Sequence, residues 1–198
     1  MLRGVLFDLD GVLLDSYEAW FSLVNATARD LGYPPVSREA FHAGWGQGLA
    51  ADVETFFVRH GVAEIEDSYR AHFAEHARGL AVDPEAAPLL EALRRAGLGT
   101  AVVTNTPASI AGEILKAAGL HADVLVGGTD VPRAKPAPDL VLRACERLGV
   151  APGEAILVGD TRFDREAAAA AGVRFVGLRL DGDVKLERLS DVRLLLGL

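Results

Sequence analysis

Cysteine is almost absent from this sequence, and that absence excludes several kinds of site. Cys145 is the single cysteine among 198 residues, so no intrachain disulfide can form and no cysteine cluster can hold zinc. Cys145 lies in a helical pattern, which predicts a small buried apolar residue. No apolar run reaches transmembrane length, and Asp8 and Asp10 interrupt the stretch that a signal peptide would need. We therefore expect a soluble, cytoplasmic protein.

Lysine is also scarce, because Lys116, Lys135 and Lys185 are the only three in the chain. The formal net charge is −8, which argues against nucleic acid or an anionic membrane as a partner. It does not exclude a small anionic substrate, because a local site can oppose the global charge. Hydrophobic residues make up 50% of the chain and charged residues 24%, which is typical of a globular protein.

What the chain does contain is an alternation of short apolar strands and helices. The predicted strands are residues 5–7, 100–104, 122–126, 155–158 and 173–178. Helical patterns separate the later strands, and the tail over residues 184–196 is also predicted to be helical. This order predicts an α/β fold, with a parallel sheet that carries helices on both faces.

One long segment interrupts the alternation. Residues 15–83 contain four predicted helices and no predicted strand, and they follow directly on the first strand. We therefore predict two domains. Residues 1–14 and 84–198 form the α/β core, and residues 15–83 form an inserted all-helical domain.

Polar side chains follow the predicted strands, at the point where each strand ends. They are Asp8, Asp10, Thr104, Asn105, Lys135, Asp160 and Asp164. In an open parallel sheet the carboxyl ends of the strands form the ligand site. Carboxylate oxygens are the ligands that Mg²⁺ prefers, and a lysine can hold a phosphate. Each residue could alone be a turn or a helix cap, but their common position favours a site for phosphate and a hard metal.

Four segments together resemble the haloacid dehalogenase-like superfamily. They are residues 8–13, 102–105, 135–138 and 159–164, in the order that the family has them. The resemblance extends over essentially the whole chain, because the helical segment falls where that family carries its cap domain. The chain looks closest to the phosphoglycolate phosphatase and beta-phosphoglucomutase branch. The resemblance implies a Rossmann-like core and a helical cap.

The resemblance also implies a role for each matching residue. Asp8 would be the nucleophile that forms an aspartyl-phosphate. Asp10 would protonate the leaving oxygen and then activate water. Thr104, Asn105 and Lys135 would bind the transferring phosphoryl group.

A magnesium ion is implied in the same way. Asp8, the main-chain carbonyl of Asp10 and Asp160 would hold it, with Asp164 nearby as a supporting acid. Val12 stands where many phosphatases of the family have threonine, so it offers no hydroxyl there.

Asp10 and the composition of the insert argue against several of the reactions that the family catalyses. Dehalogenases of the family typically lack an acid at the position of Asp10, so its presence favours phosphoryl transfer. Phosphonatases need a lysine in the cap, and residues 15–83 contain none. The missing lysine also disfavours a sugar-phosphate mutase without excluding it. The resemblance thus implies a phosphatase of a small phosphorylated metabolite, phosphoglycolate-like or a sugar phosphate. For the assembly we expect a monomer or a homodimer.

The glycine-rich loop of residues 44–48 lies where the family has its substrate-specificity loop. We expect Trp45 and Gln47 to face the leaving group, with Arg38 or His42 as an anionic contact. The alternative for Trp45 is a place in the core. Two alternatives to an enzyme stay open, namely a receiver-type phosphoacceptor domain and a non-catalytic protein on the same fold.

Overall fold

A six-stranded, fully parallel sheet forms the centre of the protein in the computed structural model, which describes residues 1–198. Its strands, in spatial order, are β5, β4, β1, β6, β7 and β8. Their bounds are β1 Gly4–Phe7, β4 Gly99–Val103, β5 Val124–Val126, β6 Ala155–Gly159, β7 Arg174–Leu178 and β8 Val184–Leu186. Two further short strands, β2 Leu14–Asp15 and β3 Ala81–Val82, pair outside this sheet.

Nine helices complete the chain. Four of them lie between β2 and β3: α1 Tyr17–Asp30, α2 Arg38–Ala43, α3 Leu49–Phe56 and α4 Val62–His76. The other five are α5 Ala86–Arg95, α6 Ala108–Ala118, α7 Asp139–Leu148, α8 Arg162–Ala171 and α9 Asp191–Leu196. No helix combines the length and the apolar character that a membrane span requires. The predicted α/β architecture with helices on both faces is confirmed.

Strand β1 occupies the middle of the sheet, where all four of its residues are buried. Its neighbours are β4 on one side and β6 on the other. Because successive side chains of a strand point to opposite faces, Val5 and Phe7 join one hydrophobic core and Leu6 joins the other. A strand buried on both faces needs a continuous apolar run, which explains why the sequence changes to acidic residues only where β1 ends.

The helical insert packs against itself and shares the larger of the two cores. Ile65, Tyr69 and Phe73 recur at intervals of four along α4, and all three are buried. They face the buried side of α1, where the Trp20 ring lies 5.7 Å from Tyr69 and 5.5 Å from Phe73. This aromatic contact holds α1 and α4 together on one side of the sheet's carboxyl end.

Two local predictions were wrong. The insert was expected to contain no strand, yet β2 and β3 form an antiparallel pair where the chain leaves the core and returns to it. The tail was expected to be helical throughout, yet β8 adds to the sheet beside β7 and only α9 is helical. Val184 and Leu186 flank the exposed Lys185, a spacing of two that fits a strand, and the edge of β7 offers free backbone partners.

Candidate active site

Asp8 follows β1 directly and is 5% exposed. Its Oδ1 atom accepts hydrogen bonds from the Leu9 amide at 2.8 Å and from Lys135 Nζ at 2.9 Å. No protein group donates a hydrogen bond to its other oxygen, Oδ2, and Asp8 lines a cleft between the insert and the core. Burial and the neighbouring Asp164 raise the pKa of Asp8 well above its ordinary value. The structure thus presents a carboxylate with one oxygen free.

Lys135 connects the acids of the site. Its Nζ atom lies 2.6 Å from Asp164 Oδ1, 2.9 Å from Asp8 Oδ1 and 3.0 Å from the Val103 carbonyl oxygen. Lys135 is 3% exposed, and burial by itself would lower its pKa. The charges of Asp164 and Asp8 outweigh burial, so the pKa of Lys135 is raised and the side chain stays an ammonium.

Asp164 is committed to protein partners. It is fully buried, and its Oδ2 accepts hydrogen bonds from the Thr161 amide at 3.0 Å and the Thr161 hydroxyl at 2.6 Å. Its Oδ1 accepts a hydrogen bond from Lys135 Nζ at 2.6 Å. With these partners, Asp164 fixes the start of α8 and positions the lysine.

Asp160, in contrast, has one carboxylate oxygen without a partner. Its Oδ1 atom is buried and receives no hydrogen bond. Burial and the charge of Asp164 raise the pKa of Asp160 to about 7. Gly11 has a positive φ of 82°, and a Cβ atom there would lie 2.1 Å from Asp160 Oδ2. The glycine therefore lets the backbone after β1 reach the Asp160 carboxylate.

This group of acids fits a divalent cation. One carboxylate oxygen each from Asp8, Asp160 and Asp164 lie within 4.8 Å of one another. With all three carboxylates ionised, as a bound cation would favour, the Lys135 ammonium leaves two negative charges, which one divalent ion would balance. The oxygen-only donors and the unpartnered Asp160 atom are typical of a site for Mg²⁺ rather than for a soft metal.

Asp10 lies outside that cluster and accepts four hydrogen bonds. Its donors are the hydroxyls of Ser16, Thr104 and Thr106 and the indole N–H of Trp20. The indole bond is 2.9 Å long and connects α1 of the insert to the core. The carboxylate is therefore held in one orientation beside Asp8.

Three of these donors were not recognised from the sequence. Ser16 and Thr106 stand just before helices, yet neither makes a capping side-chain bond. Trp20 carries no sequence signal beyond its apolar spacing on α1. Thr104 and Thr106 are two residues apart after β4, and that spacing, which places both hydroxyls on one side of an extended chain, was the available signal.

Asn105 joins the insert to the core. Its Nδ2 donates to the Gly46 carbonyl at 2.8 Å and to the Lys135 carbonyl at 2.9 Å, while its Oδ1 accepts from the Lys135 amide at 2.8 Å. The Asn105 side chain is thus fully used in binding the backbones of two loops. Only the main-chain groups of Asn105 remain for a ligand.

The cleft between insert and core encloses about 60 Å³. Trp45 and Gln47 line it, together with Trp20, Phe41, Leu49 and other apolar residues of the insert. Trp45 also packs 5.0 Å from the Tyr17 ring, so it belongs both to the cleft wall and to an aromatic cluster. Arg38 and His42, the other two expected contacts, are exposed and do not line the cleft.

A second carboxylate network lines the same cleft from the insert side. Asp52 Oδ1 accepts a hydrogen bond from Gln47 Nε2 at 2.7 Å, and its Oδ2 accepts one from the Tyr69 hydroxyl at 3.0 Å. No cation is paired with Asp52. Burial raises the pKa of Asp52 to about 6, although both hydrogen bonds lower it. Asp52 was not recognised from the sequence, because a lone acid on an amphipathic helix carries no signal of this kind.

The raised pKa of Asp52 predicts how its replacement changes stability with pH. The unfolded chain loses this proton near the ordinary value and the folded chain near pH 6, so the folded state loses stability between the two. We expect Asp52→Asn, which can accept from Gln47 and donate to the Tyr69 hydroxyl, to raise the free energy of unfolding by about 1–2 kcal/mol above pH 7 and to have no effect near pH 3.5. Urea unfolding across this pH range measures it, and an equal effect at both ends would contradict the assignment.

Comparison with known proteins agrees with this arrangement. The sequence model of the haloacid dehalogenase-like hydrolases matches residues 5–178. Phosphoglycolate phosphatase from Pseudomonas putida is 34% identical over 191 residues, or 89% of this chain and 69% of that protein. N-acetylmuramic acid 6-phosphate phosphatase from Pseudomonas aeruginosa is 34% identical over 188 residues, or 90% of this chain and 82% of that protein.

A solved structure extends the likeness to the whole fold. The crystal structure of CbbY from Rhodobacter sphaeroides in complex with phosphate superposes with a TM-score of 0.85 at 26% identity, covering 97% of this chain and 96% of that one. The family match spans most of the chain, including all the acids at the sheet's carboxyl end. The chain therefore belongs to the haloacid dehalogenase-like hydrolases and is a phosphatase of that family.

Proposed function

We propose that this protein hydrolyses small phosphate monoesters with Mg²⁺ as cofactor and an aspartyl-phosphate as intermediate. The observation that carries the proposal is the charge balance at the end of β1, where a single ammonium faces three carboxylates and Asp160 Oδ1 has no partner. The names of the relatives, phosphoglycolate phosphatase among them, support a small phosphorylated metabolite as the substrate. The phosphate-bound CbbY structure supports a phosphate site on this fold.

Asp8 attacks phosphorus in the proposed first step. The attacking atom is Oδ2, because Oδ1 is held by Lys135 and the Leu9 amide. A bond forms from Oδ2 to phosphorus as the bond from phosphorus to the leaving oxygen breaks. Lys135 lowers the pKa of Asp8 against the effect of burial, and its positive charge would offset the negative charge of the phosphoryl group.

Asp10 acts first as the general acid and then as the general base. It delivers a proton to the departing oxygen, so the first product leaves as an alcohol. It then takes a proton from the water that attacks phosphorus, which frees Asp8 and releases inorganic phosphate. Because all four donors around Asp10 satisfy a carboxylate, the acid form must give up at least one of these bonds, and Thr104 or Thr106 would then be free for a phosphoryl oxygen.

Asp8, Asp160 and the main-chain carbonyl of Asp10 would hold the magnesium ion, with Asp164 as the supporting acid. When bound, the ion would supply positive charge to the phosphoryl oxygens and to Asp8. Asp164 is already bound to Lys135 and Thr161, which favours a positioning role for it.

The insert, residues 15–83, would act as the cap that excludes water. Its loop reaches the core closely, since a Cβ at Gly46 would lie 2.9 Å from Thr161 Cγ2 and one at Gly48 would lie 3.0 Å from Ala134 Cβ. Asn105 fastens the same loop through the Gly46 carbonyl. Closure over the phosphoryl group would protect the intermediate until a water reaches it.

Phosphate release from p-nitrophenyl phosphate tests the proposal directly. We expect multiple turnovers with added Mg²⁺ and a loss of at least about 100-fold with excess chelator, recovered when Mg²⁺ is restored. A receiver-type phosphoacceptor would become phosphorylated once without releasing phosphate repeatedly. A non-catalytic protein would be neither phosphorylated nor active. Turnover that chelator leaves unchanged would overturn the metal requirement.

A further inference from the structure

The charged side chains that line the cleft are all negative. They are Asp8 and Asp10 from the core and Asp52 from the insert, and no lysine, arginine or histidine lies among the lining residues. Asp8 and Asp10 belong to the proposed chemistry at the phosphoryl group. Asp52 lies on α3 of the insert, the side that the rest of the substrate would meet.

No basic residue of the insert lines the cleft, and three of them bind other groups of the insert. Arg38 binds both oxygens of Glu18, at 2.6 Å and 2.9 Å, and its guanidinium lies 4.5 Å from the centre of the Phe21 ring. His60 hydrogen-bonds the Tyr33 hydroxyl at 2.8 Å. His76 hydrogen-bonds Ser22 at the same distance. None of these side chains is placed to meet a negative group inside the cleft.

The polar atoms around Asp52 mostly accept hydrogen bonds. Gln47 Nε2 and the Tyr69 hydroxyl already donate to the Asp52 carboxylate. The oxygen of the Gln47 amide, the lone pairs of Tyr69 and the remaining lone pairs of Asp52 stay available as acceptors. Trp20, Phe41 and Trp45 supply apolar surface beside them. A substrate portion that donates hydrogen bonds and has apolar faces would fit this wall.

We propose that Asp52 selects substrates whose leaving group has no negative charge and bears hydroxyl groups, as in a phosphate ester of a neutral sugar or polyol. The proposal rests on the phosphatase function above and separates this chain from the relatives named after phosphoglycolate, whose leaving group ends in a carboxylate. A carboxylate or second phosphate in the cleft would meet Asp52 with no basic residue to offset it, and like charges at short range repel strongly where water is excluded.

Three small esters of matched size test the role of charge. In phosphoglycolate, 2-hydroxyethyl phosphate and O-phosphoethanolamine, the far end of the leaving group is a carboxylate, a hydroxyl and an ammonium in turn. We expect kcat/KM for 2-hydroxyethyl phosphate to exceed that for phosphoglycolate by at least about tenfold, with O-phosphoethanolamine also above phosphoglycolate. An equal or higher value for phosphoglycolate would overturn the proposal. So would an ammonium ester as poor as the carboxylate one, because the cleft would then reject charge of either sign.

The substitution Asp52→Asn tests whether Asp52 itself selects the leaving group. It should shrink the preference for the hydroxyl over the carboxylate by at least about fivefold, mainly by raising kcat/KM for phosphoglycolate. Glu54→Gln removes a similar charge from the exposed face of the same helix and should leave the preference unchanged. An undiminished preference in Asp52→Asn would overturn the role of Asp52.

Turnover of p-nitrophenyl phosphate distinguishes a failure of the proposed phosphatase function from a failure of the proposed role of Asp52. If the wild-type protein fails to hydrolyse it with Mg²⁺, the phosphatase function itself fails. If it hydrolyses that ester but prefers phosphoglycolate, only the inference about Asp52 fails. Should Asp52→Asn not fold, the wild-type series still decides the class of leaving group.

Discussion

Asp8→Asn is expected to reduce metal-dependent phosphate release by about 10⁴-fold or more, the largest effect of any single substitution in this chain. The amide cannot attack phosphorus, and no second carboxylate can replace Asp8. Asp164 is held by Lys135 and Thr161, and Asp10 is held by four donors. The Asp8 side chain also carries a burial cost, which raises its pKa. The variant should therefore fold at least as well as the wild type.

The measurement is phosphate release from p-nitrophenyl phosphate at saturating Mg²⁺, together with urea unfolding of both proteins. Asp181→Asn is the matched control, because Asp181 is a carboxylate with a side chain 87% exposed that pairs only with Lys185. It should keep full activity. A folded Asp8→Asn protein that still turns over would remove Asp8 as the nucleophile.

Most of the architecture was predictable because the main signals are local. Most strands of the central sheet are short apolar runs, and polar residues mark the ends of several of them, as at Phe7–Asp8 and Val103–Thr104. The rule that parallel strands share one carboxyl edge then brings residues over a hundred positions apart to one place. The structure does bring Asp8, Lys135 and Asp160 together at that edge.

The direction of individual side chains was not predictable. Ser16 and Thr106 stand where helix caps are expected, and only the fold shows that their hydroxyls turn to Asp10 instead. Arg38 is close in sequence to the cleft loop, but Glu18, twenty residues earlier and one helix away, binds its guanidinium outside the cleft. Such choices depend on which groups lie nearby after folding, and a local pattern does not contain that information.

The short strands β2, β3 and β8 are a second kind of feature that could not be predicted from the sequence. β8 has three residues and β2 and β3 have two each, too few to establish a periodicity. Their pairing depends on a neighbouring backbone with free donors and acceptors. The edge of β7 supplies these to β8, and the crossing points of the insert supply them to β2 and β3.

Lys135→Met is expected to lower the free energy of unfolding by about 3–5 kcal/mol, the largest loss of stability among the site residues. The methionine fills a similar volume, so the loss comes from charge. Asp8 and Asp164 would remain buried without the ammonium that lies 2.9 Å and 2.6 Å from them. The loss should be larger above pH 7 than near pH 4, because Asp8, whose pKa is already raised by burial, can take up a proton at the lower pH.

Mg²⁺ gives this prediction a second readout. A divalent ion bound beside Asp8 and Asp160 would return part of the missing positive charge, so Mg²⁺ should stabilise Lys135→Met more than it stabilises the wild type. Lys116→Met is the control, because Lys116 lies exposed on α6 without an ion pair, and it should change stability by less than about 0.5 kcal/mol. If Lys135→Met matched the wild type in urea unfolding at pH 7, the acids would not depend on Lys135, and the charge balance behind the proposed metal site would be wrong.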